Sequence, residues 1–409
     1  MKKRNYSEIS LNLTKILEKK DKKKQGIFFT PNSIVKSIIQ FIKPYIKVNN
    51  SILEPSCGSC EFITELLKLN LNLNITAIEK NKLIYDTINQ TFSKKCSLLN
   101  EDFLSYETEK KFDCIIGNPP YFVMKKGNTD KEYYPYFTGR PNIFILFMIK
   151  SLNLLKKNGI LAFVLPKNFL NCLYYDKTRV FINNNCKILN IVDCSNDIYL
   201  ETKQETIVLI IQKKGDSIIH KENNNFILKK NEYLIFGIPD TIKKINKLYN
   251  NSKSLSEMDF QVNVGTVVWN QHKNILTDDE TQTRLIYSSD ISDKKLNFKK
   301  YKNLYKKNFI PKTGSKDIIL VVNRGYGMGN YLFEYCLIDV DFDYLIENHL
   351  IVIKYIGKEG NEQNTLREKY KIIMKSLCNK KTEQFIKLYF GNNAINTTEL
   401  NHILPIFEV

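Results

Sequence analysis

From about residue 50 to residue 212, short apolar, β-branched runs alternate with longer stretches whose apolar residues recur at helical spacing. The predicted strands are Ser51 to Glu54, Ile75 to Glu79, Cys96 to Leu99, Cys114 to Gly117, Ile160 to Leu165, Ile188 to Asp193 and Thr206 to Ile211. Between them, Glu61 to Leu69 and Asn142 to Leu155 read as helices. Strand-helix alternation of this kind specifies an open, doubly wound α/β sheet. In such a sheet a ligand sits at the carboxyl ends of the strands, beside the point where strand order reverses.

The rest of the chain is organised differently. Residues 1–25 are polar and Lys-rich, ending in Lys22-Lys23-Lys24, and read as a helix plus a solvated basic arm. After about residue 225 the apolar runs are short (Val262 to Val268, Ile318 to Val322, Leu350 to Ile353) and are separated by polar loops and Lys pairs. The expected division is a basic N-terminal segment (1–25), an α/β domain (26–225) and a second α+β domain (226–409), with 409 residues enough for two cores. The formal charge of +18 suits a polyanionic partner, although Lys, Asn and Ile are used heavily throughout. Nine cysteines without paired spacing point to reduced thiols in an intracellular protein. One lone C-x-x-C (Cys57, Cys60) and four histidines make a zinc site unexpected, so no metal is assigned. No apolar run reaches transmembrane length and no apolar core follows the basic N-terminus, so neither a membrane nor a signal peptide is expected.

Asn118-Pro119-Pro120-Tyr121 directly follows the apolar run Cys114 to Gly117. These residues suit one kind of chemistry, in which a planar, ring-conjugated amine is made nucleophilic enough to take a methyl group. The Asn118 side-chain carbonyl and the Pro119 backbone carbonyl can each accept one amine N–H. The prolines fix φ and hold both acceptors rigid, and Tyr121 offers a flat face to a base. The same residues also make a proline turn closing a buried strand, and the tetrapeptide alone does not separate the two. Its context does. The first strand ends in Glu54-Pro55-Ser56-Cys57-Gly58-Ser59-Cys60, small residues that let a ligand approach the backbone. Glu79 ends the next strand, where a carboxylate can take ribose hydroxyls. Asp102-Phe103 follows the third, where a carboxylate and a ring can take an adenine's amino group and face.

In this order the residues resemble the N6-adenine DNA methyltransferases, specifically the gamma, TaqI-like group that carries a C-terminal recognition domain. Gly26 to Pro31 looks like that family's N-terminal motif, which closes over the methionine end of S-adenosylmethionine, and it includes Thr30. Gly159 to Pro166 looks like its later strand motif. Asp193 to Gln212 is similar to the hairpin that follows, with Tyr199 at the position of an aromatic residue packing on the flipped adenine. The likeness is close over 26–212. Ser56 and Cys60 stand where the family usually has Ala and Gly, so Cys57 and Cys60 read as small turn residues rather than a redox pair, and Tyr199 replaces the more usual Phe.

The resemblance implies a Rossmann-like sheet binding S-adenosylmethionine through Thr30, Glu54, Ser56, Cys57, Gly58, Glu79, Asp102, Phe103 and Asn118. It implies Asn118, Pro119, Tyr121 and Tyr199 as the residues that activate and stack an adenine flipped from double-stranded DNA. Phe122 is expected to wall the pocket, and Asn142 to be a helix cap as readily as a catalytic group. The second domain is expected to read DNA, with Arg324 reaching a phosphate or guanine edge and the Lys clusters holding phosphates. The same tetrapeptide serves methyltransferases of RNA bases and of protein glutamine, and an inactive DNA-binding relative is a further alternative. No nuclease arrangement is visible, so cleavage is expected of a separately encoded endonuclease.

Overall fold

Single-residue alternation builds the first sheet. Ile52 faces one core and Leu53 the other; Cys114 and Ile116 oppose Ile115; Ile160, Ala162 and Val164 oppose Leu161, Phe163 and Leu165. Both faces are therefore apolar, as a sheet covered by helices on two sides requires. The computed structural model describes residues 5–197, 199–202, 204–215, 225–323, 333–358, 362–390 and 395–407. The chain divides into one unit of Met1–Leu228 with Tyr233–Ile242 and a second of Lys229–Glu232 with Lys243–Val409.

In the first unit, β1 (Ser51–Glu54), β2 (Asn74–Ile78), β3 (Ser97–Leu99), β4 (Phe112–Gly117), β5 (Leu155–Pro166), β6 (Cys186–Asp193) and β7 (Thr206–Lys213) pair in the order β3-β2-β1-β4-β5-β7-β6. Strands β1 to β5 run parallel, and β7 inserts antiparallel between β5 and β6. Strand order reverses between β1 and β4. Helices α3 (Asn32–Ile42), α4 (Glu61–Leu67) and α5 (Lys82–Phe92) contribute to one core, α6 (Ile143–Leu154) and α7 (Asp176–Asn185) to the other. Helix α6 is apolar nearly all round and is buried accordingly.

The N-terminal segment is no solvated arm. It forms α1 (Glu8–Ile16) and α2 (Lys19–Gln25), and Leu13 and Leu17 enter the core beside α3 and α4. Ser7 and Ser10 donate hydroxyls to Glu61 at 2.5 Å each. Lys22 is buried, its ammonium donating to the Thr14 carbonyl and pairing with Glu201 at 2.7 Å. Residues 5–25 thus fold with the sheet rather than apart from it. At the other end the chain crosses between units more than once. Tyr233–Ile242 belongs with the first unit, anchored by fully buried Arg179, which donates to the carbonyls of Leu234, Phe169 and Cys172 at 2.6, 2.9 and 2.8 Å.

The second unit holds a four-stranded antiparallel sheet ordered Phe260–Val264, Leu350–Tyr355, Ile319–Asn323, Tyr335–Ile338. A three-stranded sheet of Phe309–Ile310, Thr283–Ile286 and Tyr344–Ile346 accompanies it. The strand expected over Val262 to Val268 stops at Val264. At Gly265 the backbone presses onto Glu347, and an added Cβ would lie 2.2 Å from its carbonyl oxygen.

Candidate active site

The carboxyl ends of β1 to β4 open into a cavity of about 330 Å³ lined by Ser56, Gly58, Glu79, Asp102, Phe103, Asn118, Pro120 and Phe122, with residues 24–29 closing one side. Eight positions far apart in the chain meet here because successive parallel strands all end on the same edge of the sheet.

Asn118 leaves β4 after Gly117 and is tied on three sides. Its amide nitrogen donates to the Phe28 carbonyl and the Thr30 hydroxyl, both at 3.1 Å, and its backbone carbonyl accepts from Ser56 Oγ at 3.2 Å. These bonds fix which amide atom is the oxygen, since Phe28 offers only an acceptor. The Tyr121 hydroxyl lies 2.5 Å from that oxygen and 2.8 Å from the Val164 carbonyl on β5. A phenol has one proton, so it donates to one of the two at a time. Burial pushes the Tyr121 phenol well above its usual range, which keeps it a donor. Pro119 is buried behind Asn118, and Phe122 stands on the cavity wall, its carbonyl accepting from Ile143 at 3.0 Å.

Gly26 holds the N-terminal segment against this loop. It caps α2 at φ 66°, a conformation that suits glycine, and an added Cβ would lie 2.7 Å from the Tyr121 nitrogen.

The acids are placed by the strand ends. Glu79 accepts from the Gly58 nitrogen at 2.9 Å and the Asn81 nitrogen at 2.7 Å. Burial still pushes its carboxyl up to about 7, with those backbone bonds working in the opposite direction. Asp102 accepts from Leu104 N and pairs with Lys80 at 2.7 Å. Glu54 is fully buried, and one of its oxygens has no hydrogen-bond partner. Burial drives its pKa well up, with Cys60, Glu79 and Glu61 adding to the effect. It borders a smaller adjoining cavity of about 30 Å³ shared with Thr30, Ser56, Cys57, Gly58 and Asn118.

Cys57 and Cys60 are free thiols, both buried, and burial raises Cys57 further. Cys60 adopts φ 60°, ψ 33° at the start of α4. That left-handed geometry favours glycine, which accounts physically for the glycine more usual at this place.

Tyr199 does not reach the cavity wall. It is 5% exposed within the core that contains Phe29 and Val164, and its hydroxyl lies 3.2 Å from Thr206 Oγ1. The ring is buried, where an aromatic face gains more from packing than from solvent. Asn142 sits at the N-cap of α6 without a side-chain cap bond, and its buried side-chain oxygen has no hydrogen-bond partner. Arg324 lies outside the described residues. Sequence reasoning missed Phe28, Val164 and Lys80. The first two act through backbone carbonyls, which carry no side-chain signature, and Lys80 lines the cavity and pairs with Asp102. Among the described residues no cluster of three or more His, Cys, Asp or Glu could hold a metal.

Residues 57–199 match the profile of a family described as Eco57I restriction-modification methylase. The match is to a methyltransferase. Over 406 residues the chain is 27% identical to the Type II methyltransferase M.CvrRI of Paramecium bursaria Chlorella virus XZ-6E, covering 98% of this chain and 99% of that protein. It is 26% identical over the same length to the modification methylase CviBIII of Paramecium bursaria Chlorella virus NC1A, with the same coverage. Among solved structures, one described as a DrdV–DNA complex superposes with a TM-score of 0.54 at 14% identity, covering 94% of this chain and 57% of that one. At that identity the likeness concerns the fold. The first unit carries a Rossmann-like, doubly wound α/β fold, accompanied by an additional domain.

Proposed function

We propose that this chain is a site-specific DNA methyltransferase of the gamma, TaqI-like group, acting on the N6 amine of an adenine flipped out of double-stranded DNA. The observation that carries the reading is Asn118, held by Phe28 and Thr30 so that its carbonyl oxygen is fixed as an acceptor beside a cavity walled by Phe122. Relatives similar over nearly the whole chain are modification methyltransferases, which favours DNA as the substrate.

The residues present fit S-adenosylmethionine. Glu79 ends β2 with lone pairs free beyond its two backbone bonds, suiting ribose hydroxyls. Asp102 and Phe103 suit an adenine, and the orphaned buried oxygen of Glu54 suits a cationic amino group near Thr30, Ser56, Cys57 and Gly58. When bound, this cofactor supplies an electrophilic methyl group.

The chain's own residues prepare the amine. Asn118 Oδ1 accepts one N–H in exchange for the Tyr121 hydroxyl, and the Pro119 carbonyl accepts the other. Drawing both protons into the wall localises the nitrogen lone pair and points it away from the ring. Positioning of this kind supplies much of a transfer enzyme's acceleration. Tyr121 and Phe122 provide apolar faces that replace part of the stacking lost when the base leaves the duplex, on the order of 1–3 kcal/mol per aromatic contact. The second unit reads the DNA, and a separately encoded endonuclease is the partner that a modification role implies.

The test is to incubate purified protein with tritiated S-adenosylmethionine and either duplex DNA or total RNA, then identify the labelled nucleoside. Label in N6-methyldeoxyadenosine, lost in Asn118→Ala, is the expected result. Label confined to RNA, or to protein, overturns the reading.

A further inference from the structure

Residues 294–316 of the second unit contain nine lysines and no Asp or Glu. At the middle of this run, Leu304 is 84% exposed and Tyr305 65% exposed, the two most exposed large apolar side chains of the described residues. They form the tip of a tight turn, in which Lys306 N donates to the Asn303 carbonyl and Tyr305 N to Asn303 Oδ1, both at 3.0 Å.

The turn stands on a braced base. On the entering side, Lys299 N and the Tyr301 hydroxyl donate to buried Asp290 at 3.1 and 3.0 Å. On the leaving side, the Tyr287 hydroxyl donates to the Lys307 carbonyl at 2.7 Å, and Leu285 N to the Asn308 carbonyl at 2.8 Å. The Lys306 ammonium lies over the Tyr301 and Tyr287 rings, 4.0 and 4.3 Å from their centroids. Exposing a leucine and a tyrosine on an anchored turn forgoes the stabilisation that burying such side chains gives. Nothing in the fold recovers it.

We infer that Leu304 and Tyr305 are a wedge that enters duplex DNA between base pairs, while Lys299, Lys300 and Lys302 hold the flanking phosphates. The inference rests on DNA being the substrate. Charge complementarity selects the occupant: a run of lysines without acids fits a polyanion, and apolar wedges between base steps are a known way to kink a duplex. A flat tyrosine ring stacks on any base. A pure phosphate grip would need the lysines alone, with a polar tip between them.

The experiment needs no knowledge of the recognition site. Nicked plasmid is ligated in the presence of saturating protein and its linking number is read on gels, with binding followed separately by anisotropy against salt. The expected result is that wild-type protein unwinds the plasmid, whereas folded Leu304→Ser/Tyr305→Ser protein binds with an unchanged salt slope and loses most of the linking-number change. Lys299→Gln/Lys300→Gln/Lys302→Gln should lower the slope of log K against log salt by roughly 2 to 3 and retain unwinding at saturation. A double variant that unwinds like the wild type overturns the wedge while leaving DNA methylation standing. Tip-dependent binding to phosphatidylserine vesicles without any effect on plasmid topology overturns it in favour of a membrane. Wild-type protein that neither binds plasmid nor labels DNA overturns the wedge together with the enzyme reading.

Discussion

The charges around the first unit's cavity and those of the second unit's lysine run are placed in opposite ways. In the first, Glu54, Glu79 and Arg179 lie inside the fold, each surrounded by backbone donors or acceptors, or left one partner short. In the second, the lysines of 294–302 are exposed, and ion pairs such as Lys354–Asp317 are half-exposed. Burial magnifies the worth of a single polar group, and solvent divides it among many. The buried groups around the cavity should therefore fail at single atoms, and the lysine run only by degrees.

Arg179→Leu tests the contrast most severely. Three carbonyls and Asp176 lose their donor inside the fold, so the first unit should lose about 3–5 kcal/mol, read by denaturant unfolding. Lys354→Ala in the second unit should cost about 0–1 kcal/mol in the same measurement. Equal effects would break the comparison. Next, Asn118→Ala should lower kcat by on the order of 10²–10³ in protein shown to be folded, as for loss of one fixed hydrogen-bonding group at a reacting centre. Substituting the exposed lysines should instead raise KM for DNA and leave kcat near its original value.

A smaller effect concerns pH. Glu79 is held near 7 by burial, above its ordinary 4.5, so the stability linked to its protonated form is full below about pH 4.5 and is lost as pH rises through 7. The unfolding free energy of the cofactor-free protein, read by denaturant titration, should fall across that window by about 3 kcal/mol. Glu79→Gln should flatten the fall, with Glu54 responsible for what remains. An unchanged pH profile in the variant would show that Glu79 is ionised at neutral pH. The least effect is expected of Cys60→Gly: relief of left-handed strain, about 1–2 kcal/mol, is offset by loss of a buried thiol of similar worth. Its melting temperature should stay within a few degrees of the original.

What the sequence made legible follows the same division. All seven strands of the first sheet overlap the predicted apolar runs; the central ones are buried on both faces and so are apolar along their length, whereas β3 is only partly buried. Strand β5 begins earlier than expected, at Leu155, since Lys156, Lys157 and Asn158 are exposed and give no apolar signal. Helix α2 was hidden for a similar reason: Lys19 to Gln25 has no apolar residue, and Lys22 enters the interior through its stem and its pair with Glu201. At the site, the strand-end acids and the Asn-Pro-Pro-Tyr loop were readable from order alone. The inward ring of Tyr199 was not, because it depends on how one turn packs, nor was the phenol of Tyr121 meeting a carbonyl 43 residues further on.

That phenol has a consequence for ligand design. A molecule seeking the acceptor of Asn118 does not displace loosely held solvent; it must replace a short internal contact with a donor of its own. One hydrogen bond is exchanged for another, so the exchange adds little affinity and a great deal of discrimination. Purine analogues that keep the ring but lack an exocyclic N–H have no donor to put in its place, and an inhibitor built on such a scaffold would draw its whole affinity from the aromatic wall.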